Sequence, residues 1–159
     1  MGKLKSLKTL KKIISHLKEK GEKIVFTNGC FDLIHPGHIK LFQIAKKKGD
    51  VLVVGVNSDS SIRKIKGKRR PILEEKARVS ILSSIESINY IILFNEPDPY
   101  KVISELRPHY LVKGSDWEKK DIVGRELVEK VFRVNLVEGY STSSIIKKIC
   151  EKYKDEVCE

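Results

Sequence analysis

The sequence predicts a doubly wound, Rossmann-like α/β fold: a five-stranded parallel sheet with helices on both faces. Three observations predict it. Five strand-like runs recur along the chain: KIVFT (23–27), DVLVVGV (50–56), NYIILF (89–94), HYLV (109–112) and VFRVNLV (131–137). Most are continuously apolar rather than alternating, the pattern of strands buried on both faces. Helix-like segments stand between them, and strand–helix alternation implies parallel strands joined by crossovers.

The helices follow in order. Residues 3–20 carry Leu4, Leu7, Leu10, Ile14 and Leu17 at three- and four-residue steps with lysines between, an amphipathic helix ending at Gly21. The expected division is therefore this helix, residues 1–22, packed on one main domain, residues 23–159. Residues 36–48 open with Pro36, a favoured first helical residue. Residues 59–66 follow Ser58 and Asp59, both able to cap. Residues 74–86 place Ala77, Ile81, Leu82 and Ile85 on one face. Residues 99–106 begin with Pro99 after an Asp98 cap, residues 122–130 read as a short helix, and residues 142–155 gather Ile146, Ile149, Cys150 and Tyr153. There is no repeat, low-complexity segment or linker.

Composition narrows the function classes. Apolar residues make up 40% and charged residues 33% of 159, ordinary for a soluble domain long enough to bury a core. The apolar runs are far too short to span a bilayer, and the Lys-rich N-terminus has no apolar signal region. Cys30, Cys150 and Cys158 have no CxxC spacing, which points to a reducing, cytoplasmic setting. The net charge of +11 suits a polyanionic partner. A basic nucleic-acid-binding protein is one such class, motivated by KGKRRP. It is disfavoured because no aromatic stacking platform or helix-turn-helix pattern accompanies the charge.

The stretch FTNGCFDLIHPGH (26–38) leaves the first strand where open parallel sheets bind ligands. Gly29 permits a tight exit turn or a close approach of backbone to ligand. His35 and His38 flank Pro36 and Gly37 at a helix start, on one side of its first turn. Two imidazoles beside the positive end of a helix make an anion site suited to a polyphosphate. Two other readings stay open: a histidine cap without ligand, and a metal site. The second needs a third ligand such as Asp32, and HxxH at a helix start is not a zinc spacing, so no metal site is expected from the protein alone.

Other segments leave other strands. VNSDSSIRKIKGKRRP (56–71) brings Asn57, Asp59, Lys66, Lys68 and Arg69 beside the first loop, and its cations could close over an anion. EEKARVSIL carries Arg78 among apolar neighbours, where a surface ion pair with Glu74 or Glu75 is the plain alternative. YLVKGSDW offers Lys113, the turn at Gly114, Asp116 and Trp117. EGYSTSSII places Tyr140, Ser141, Thr142 and Ser143 at a helix start, where hydroxyls can cap or meet a phosphate.

GCFDLIHPGH, with the segments just quoted, resembles the cytidylyltransferase-like (HxGH) nucleotidyltransferase family over roughly residues 23–150. The resemblance implies transfer of a nucleotidyl group from a nucleoside triphosphate to a phosphate, with release of pyrophosphate, Mg²⁺ or another divalent ion, and no covalent intermediate. It implies His35, His38 and Lys66 as catalytic residues. Implied nucleotide contacts are Thr27, Asn28, Gly29, Cys30, Phe31, Asp32, Gly37, Arg78, Lys113, Gly114, Tyr140, Ser141, Thr142 and Ser143. Implied substrate contacts are Asn57, Asp59, Lys68, Arg69, Asp116 and Trp117.

Within the family, TNGCFDLIHPGH, LVKGSDW, DIVG and STSSIIKKI are similar to D-glycero-β-D-manno-heptose 1-phosphate adenylyltransferases. ATP and a sugar 1-phosphate are then the expected substrates and ADP-heptose the product, for lipopolysaccharide core or another surface glycan. A separate upstream heptose kinase and a homodimer are expected with it. Glycerol-3-phosphate cytidylyltransferase is the alternative, but the arginine and the basic residue typical of that subfamily read Leu136 and Ile146 here.

Overall fold

A computed structural model of the chain describes residues 2–115, 118–135 and 137–154. Five strands, β1 (Ile24–Gly29), β2 (Val51–Asn57), β3 (Tyr90–Phe94), β4 (Tyr110–Gly114) and β5 (Lys130–Val134), form one parallel sheet in the order β3-β2-β1-β4-β5. Chain order runs outward from β1 in one direction and then jumps to its other side, so the switch point lies between β1 and β4.

Helices α1 (Leu7–Glu19), α2 (Pro36–Lys46), α3 (Asp59–Lys66), α4 (Glu75–Ser83), α5 (Tyr100–Leu106) and α6 (Thr142–Lys152) complete the chain. Successive strand residues point to opposite faces, and the core divides accordingly. Ile24, Phe26, Val51 and Val53 meet Leu10 and Ile14 of α1 and Val102, Ile103 and Leu106 of α5 on one face. Val25, Leu52, Val54 and Val56 meet Phe42 and Ala45 of α2 and Leu82 of α4 on the other. All seven residues of β2 are buried, which is why its run is apolar without alternation.

Two segments differ from expectation. The first helix begins at Leu7 rather than residue 3, with the Ser6 hydroxyl accepting from the Thr9 N–H at 3.2 Å. Residues before it run along β3, where Lys5 N donates to Ile91 O and Ile91 N to Lys3 O, each at 2.9 Å. A strand edge has unpaired backbone groups, and residues 3–5 cover some of them. The short helix expected over 122–130 is instead a pair of 3₁₀ turns, Lys119–Asp121 and Arg125–Leu127, followed at once by β5. Gly124, at φ +80°, breaks any continuous α-helix there. No helix among the described residues is long and apolar enough to cross a membrane.

The sheet also opens the ground for a site. β1 pairs with β2 over six positions, Ile24 to Gly29, but with β4 only at Val25 and Phe26. Beyond Phe26 the pairing of β1 with β4 ends, and a crevice opens at the switch point.

The docking of α1 is testable. Leu10→Ala removes a fully buried side chain and is expected to cost about 2–5 kcal/mol in urea unfolding. Lys12→Ala, on the exposed side of the same helix, should stay within about 0.5 kcal/mol of the parent.

Candidate functional site

The turn that leaves β1 carries the first group of candidate residues. Its left-handed residue is Phe31, at φ +46°, and not Gly29, whose φ is not positive. A Cβ at Gly29 would lie 3.1 Å from the Phe31 ring, so the glycine makes room for that ring. The Phe31 ring is buried, edge-on to His38 at 5.2 Å and tilted against Phe42 at 5.0 Å. A left-handed conformation is costly for a bulky residue and persists only where packing holds it.

His35 is the residue before α2, with extended backbone, and its side chain makes no capping hydrogen bond. The cap reading therefore fails for its ring. The rings of His35 and His38 stack instead, with centroids 3.7 Å apart and planes 25° from parallel. Gly37 leaves room for this stack: a Cβ there would stand 3.0 Å from Cε1 and Nδ1 of His35. Burial lowers the pKa of His35. Burial, helped by His35 and Lys66, brings His38 down to about 4. Two neutral imidazoles can stack where two imidazolium ions would repel.

The same segment holds four buried polar atoms without a hydrogen-bond partner: Thr27 Oγ1, Asn28 Oδ1, His35 Nδ1 and His38 Nδ1. Such atoms are uncommon in folded proteins and call for an explanation. Cys30 lies beside them, and burial raises its thiol pKa against the opposing pull of Lys66, Arg78 and Arg70.

Two cavities flank the turn. One, about 240 Å³, lies between His35, Gly37 and His38 on one side and Gly114, Asn135 and Tyr140–Ser143 on the other. The start of α6 forms its far wall. Ser141 and Ser144 cap that helix reciprocally, Ser144 N to Ser141 Oγ at 3.0 Å and Ser141 N to Ser144 Oγ at 2.9 Å. Thr142 and Ser143 line the cavity beside them. The second cavity, about 250 Å³, is lined by Asn28, Gly29, Cys30, Asn57, Pro97–Pro99, Lys113 and Ile122 among others. Lys113 Nζ donates to Asn28 O at 3.4 Å, across the crevice where β1 and β4 part. Lys66, exposed at the end of α3, lines both cavities.

Not every expected residue lines them. Lys68 and Arg69 are exposed on the loop after α3 and line neither cavity. Asp116 and Trp117 lie outside the described residues. Asp32 is 1% exposed, and its carboxylate accepts from Arg70 Nε at 2.8 Å and from the Ile72 and Leu73 amides at 2.9 Å. Arg78 is 0% exposed, so the surface pair with Glu74 or Glu75 does not form. Its guanidinium donates to Cys30 O at 2.6 Å, Leu73 O at 3.0 Å and Asp59 Oδ1 at 2.8 Å. Glu75 instead accepts from the Asp59 amide at 3.1 Å. Sequence reasoning missed Pro97, Asp98, Pro99, Ile65 and Ile122 of the second cavity. Their only signal is turn chemistry at Pro97–Pro99, which reads equally as a helix start.

The site can hold an anion more readily than a bare cation. Among the described residues no three His, Cys, Asp or Glu side chains converge as metal ligands. The carboxylate of the motif, Asp32, is already taken up by Arg70 and two amides.

Known proteins share this architecture and sequence. Residues 26–152 match the family described as Cytidylyltransferase-like. The bifunctional protein HldE of Aliarcobacter butzleri is 45% identical over 95% of this chain and 32% of its own length. That of Citrifermentans bemidjiense is 48% identical over 96% of this chain and 32% of its own. The chain thus spans about a third of the length of these curated relatives. A lipopolysaccharide core biosynthesis protein from Thermoplasma volcanium superposes with a TM-score of 0.62 at 31% identity, over 76% of this chain and 100% of its own. A pantoate–β-alanine ligase from Francisella tularensis shares the fold at a TM-score of 0.69 and 18% identity, over 93% of this chain and 73% of its own. With its HPGH turn at the switch point and this match over most of its length, the chain belongs to the cytidylyltransferase-like family.

Proposed function

We propose that the chain is an adenylyltransferase that joins AMP from ATP to D-glycero-β-D-manno-heptose 1-phosphate, giving ADP-heptose and pyrophosphate. The observation that carries this reading is the group of four unpartnered polar atoms on Thr27, Asn28, His35 and His38, next to Lys66, which lines both cavities. The family membership supports nucleotidyl transfer. The similarity of TNGCFDLIHPGH and STSSIIKKI to heptose 1-phosphate adenylyltransferases supports the substrate pair. The solved relative named for lipopolysaccharide core biosynthesis supports a surface-glycan product.

On this reading the triphosphate lies in the first cavity, against His35, His38, Thr142 and Ser143, with Tyr140, Lys113 and Gly114 near the nucleoside. The sugar phosphate enters the second, beside Asn28 and Asn57. Lys66 stands between them, where the phosphate oxygen of the sugar attacks the α-phosphorus in line and pyrophosphate leaves. The nucleophile is already ionised at neutral pH, so no general base is needed. Positioning and neutralisation of developing charge account for the catalysis.

Among the described residues no three His, Cys, Asp or Glu side chains converge to hold a divalent ion, and Asp32 is engaged by Arg70 and two amides. Mg²⁺ belongs to the reading as an ion carried on phosphate oxygens, where it offsets their charge. A sugar 1-phosphate acceptor also requires a phosphoryl transfer to an anomeric hydroxyl upstream, the work of a heptose kinase. A homodimer is the assembly expected with it, and the exposed Ile149 and Tyr153 of α6 are apolar surface that a second copy could cover.

Pyrophosphate release with Mg²⁺, crossing ATP and CTP against heptose 1-phosphate and glycerol 3-phosphate, tests the reading. Release only with ATP and heptose 1-phosphate is expected. Release with CTP and glycerol 3-phosphate would transfer the chain to the cytidylyl branch. His35→Ala and His38→Ala should each lower turnover about 10²-fold or more with the fold intact, and near-normal activity in both would sink their assigned role.

Proton linkage gives an independent test. His38 titrates near 4 in the free protein, so at neutral pH it is uncharged. An anion beside it favours the charged form, so binding raises its pKa and takes up a proton. Affinity for inorganic triphosphate should therefore increase as pH falls from 7 toward 5. Histidine NMR titration should show the His38 midpoint moving up when triphosphate is added. A midpoint near the ordinary value of about 6.5 without ligand, unmoved by triphosphate, would contradict it.

A further inference from the structure

We propose that Asp32 is a positioning residue that acts on the reaction through Lys66, not through contact with the nucleotide. The inference rests on the role given above to Lys66. The carboxylate of Asp32 spends its lone pairs on one segment. Arg70 Nε meets Oδ2 at 2.8 Å, the Leu73 amide meets Oδ1 at 2.9 Å, and the Ile72 amide stands 2.9 Å from both oxygens. The residue is 1% exposed, and a bare carboxylate beside a triphosphate would be repelled by it. Asp32 therefore grips residues 70–73 and offers little to a ligand.

The grip has a counterpart. Arg78 ties the same turn, through Cys30 O at 2.6 Å, to Asp59 at the start of α3 and to Leu73. Residues 59 and 70–73 bracket the segment that contains Lys66, Lys68 and Arg69. That segment is thus fastened at both ends to residues 30–32, three to five residues before the first histidine of the motif. From Asp59, α3 runs eight residues to Lys66, about 12 Å at 1.5 Å per residue. Past it, Gly67 at φ +89° ends the helix, and the Arg70 N–H donates to its carbonyl at 3.2 Å. Six of the nine residues 63–71 are Lys or Arg, so without anchors this stretch would extend away from itself. Asp32 places one negative charge under it and fixes where the lysine ends up relative to the histidines.

A double-mutant cycle decides the question. Pyrophosphate release by wild type, Asp32→Asn, Lys66→Ala and the double variant is measured with ATP and the sugar 1-phosphate. The expected result is a kcat for Asp32→Asn lowered about 10-fold or more, with the KM for ATP within about 3-fold of wild type. Adding Asp32→Asn to Lys66→Ala should then change kcat by less than about 3-fold, because the route is already cut. Losses that multiply would overturn the proposal, since Asp32 would then act independently of Lys66.

Should Asp32→Asn fail to fold, Arg70→Ala removes one partner of the clamp and leaves the buried carboxylate on its two amides; the same cycle is run with it. Limited trypsin digestion supplies a readout that needs no turnover. Loosening the clamp should speed cleavage after Lys66, Lys68 and Arg69 relative to sites in α1, at a temperature where circular dichroism shows the fold intact. Unchanged cleavage would overturn the strap itself. Faster cleavage in a protein whose wild type releases no pyrophosphate with any acceptor would keep the strap and reject the enzymatic reading, so the two failures are separable.

Discussion

The hydrogen bond from the buried Arg78 to the carbonyl of Cys30 is the contact on which the rest of the site depends. That carbonyl leads directly into Phe31, whose left-handed backbone turns the chain out of β1. The turn then faces in two directions. Forward, the Phe31 ring packs against His38 and Phe42 and seats the first turn of α2. Sideways, Arg78 reaches Asp59 and Leu73, and Asp32 reaches Arg70, Ile72 and Leu73. A guanidinium with no exposure is tolerable only because fixed acceptors meet it, including a carboxylate. An arginine is suited to this place because its planar fork serves several acceptors at once, which a lysine ammonium on a flexible stem would do less well.

The sheet makes that turn useful. β1 is central, pairs fully with β2, and separates from β4 after Phe26. Everything beyond Phe26 on that side is free of ladder bonds, so the segment 27–38 can direct polar groups into a crevice. Parallel strands deliver the ends of β2, β3, β4 and β5 to the same edge. One edge therefore receives Asn57, Pro97–Pro99, Lys113 and the start of α6 from segments far apart in the chain.

Most of the fold was legible because its causes are local. Strand-like runs, most of them continuously apolar, marked all five strands, and Pro36 marked the start of α2 to the residue. The two histidines and the Ser-Thr-Ser run were legible as a group because a helix cap accounts for one such residue and not for several together, and the structure brings them to one cavity. What escaped was set by distance in the chain. The partners of Asp32 lie 38 to 41 residues away and those of Arg78 up to 48, so spacing carried no hint that both side chains face inward. The left-handed position fell on Phe31 rather than on Gly29, since packing against His38 and Phe42 outweighs the local preference for glycine. The apolar lining of the second cavity came from Pro97, Pro99, Ile65 and Ile122, residues with no periodicity in common.

The chain carries a net +11, and six basic residues crowd positions 63–71 beside the crevice. Further fixed cations on the first turn of α2 would repel Lys66 in the empty site. Imidazoles avoid that cost. Burial, with the neighbouring His35 and Lys66, keeps His38 neutral and lets the two rings stack. An arriving polyanion reverses the electrostatic part of that balance, so positive charge can build beside the phosphates only when they are present. A lysine in either place would hold its charge in both states. On the proposed reading, histidine at positions 35 and 38 is the choice of a site that must be tolerable when empty and cationic when filled.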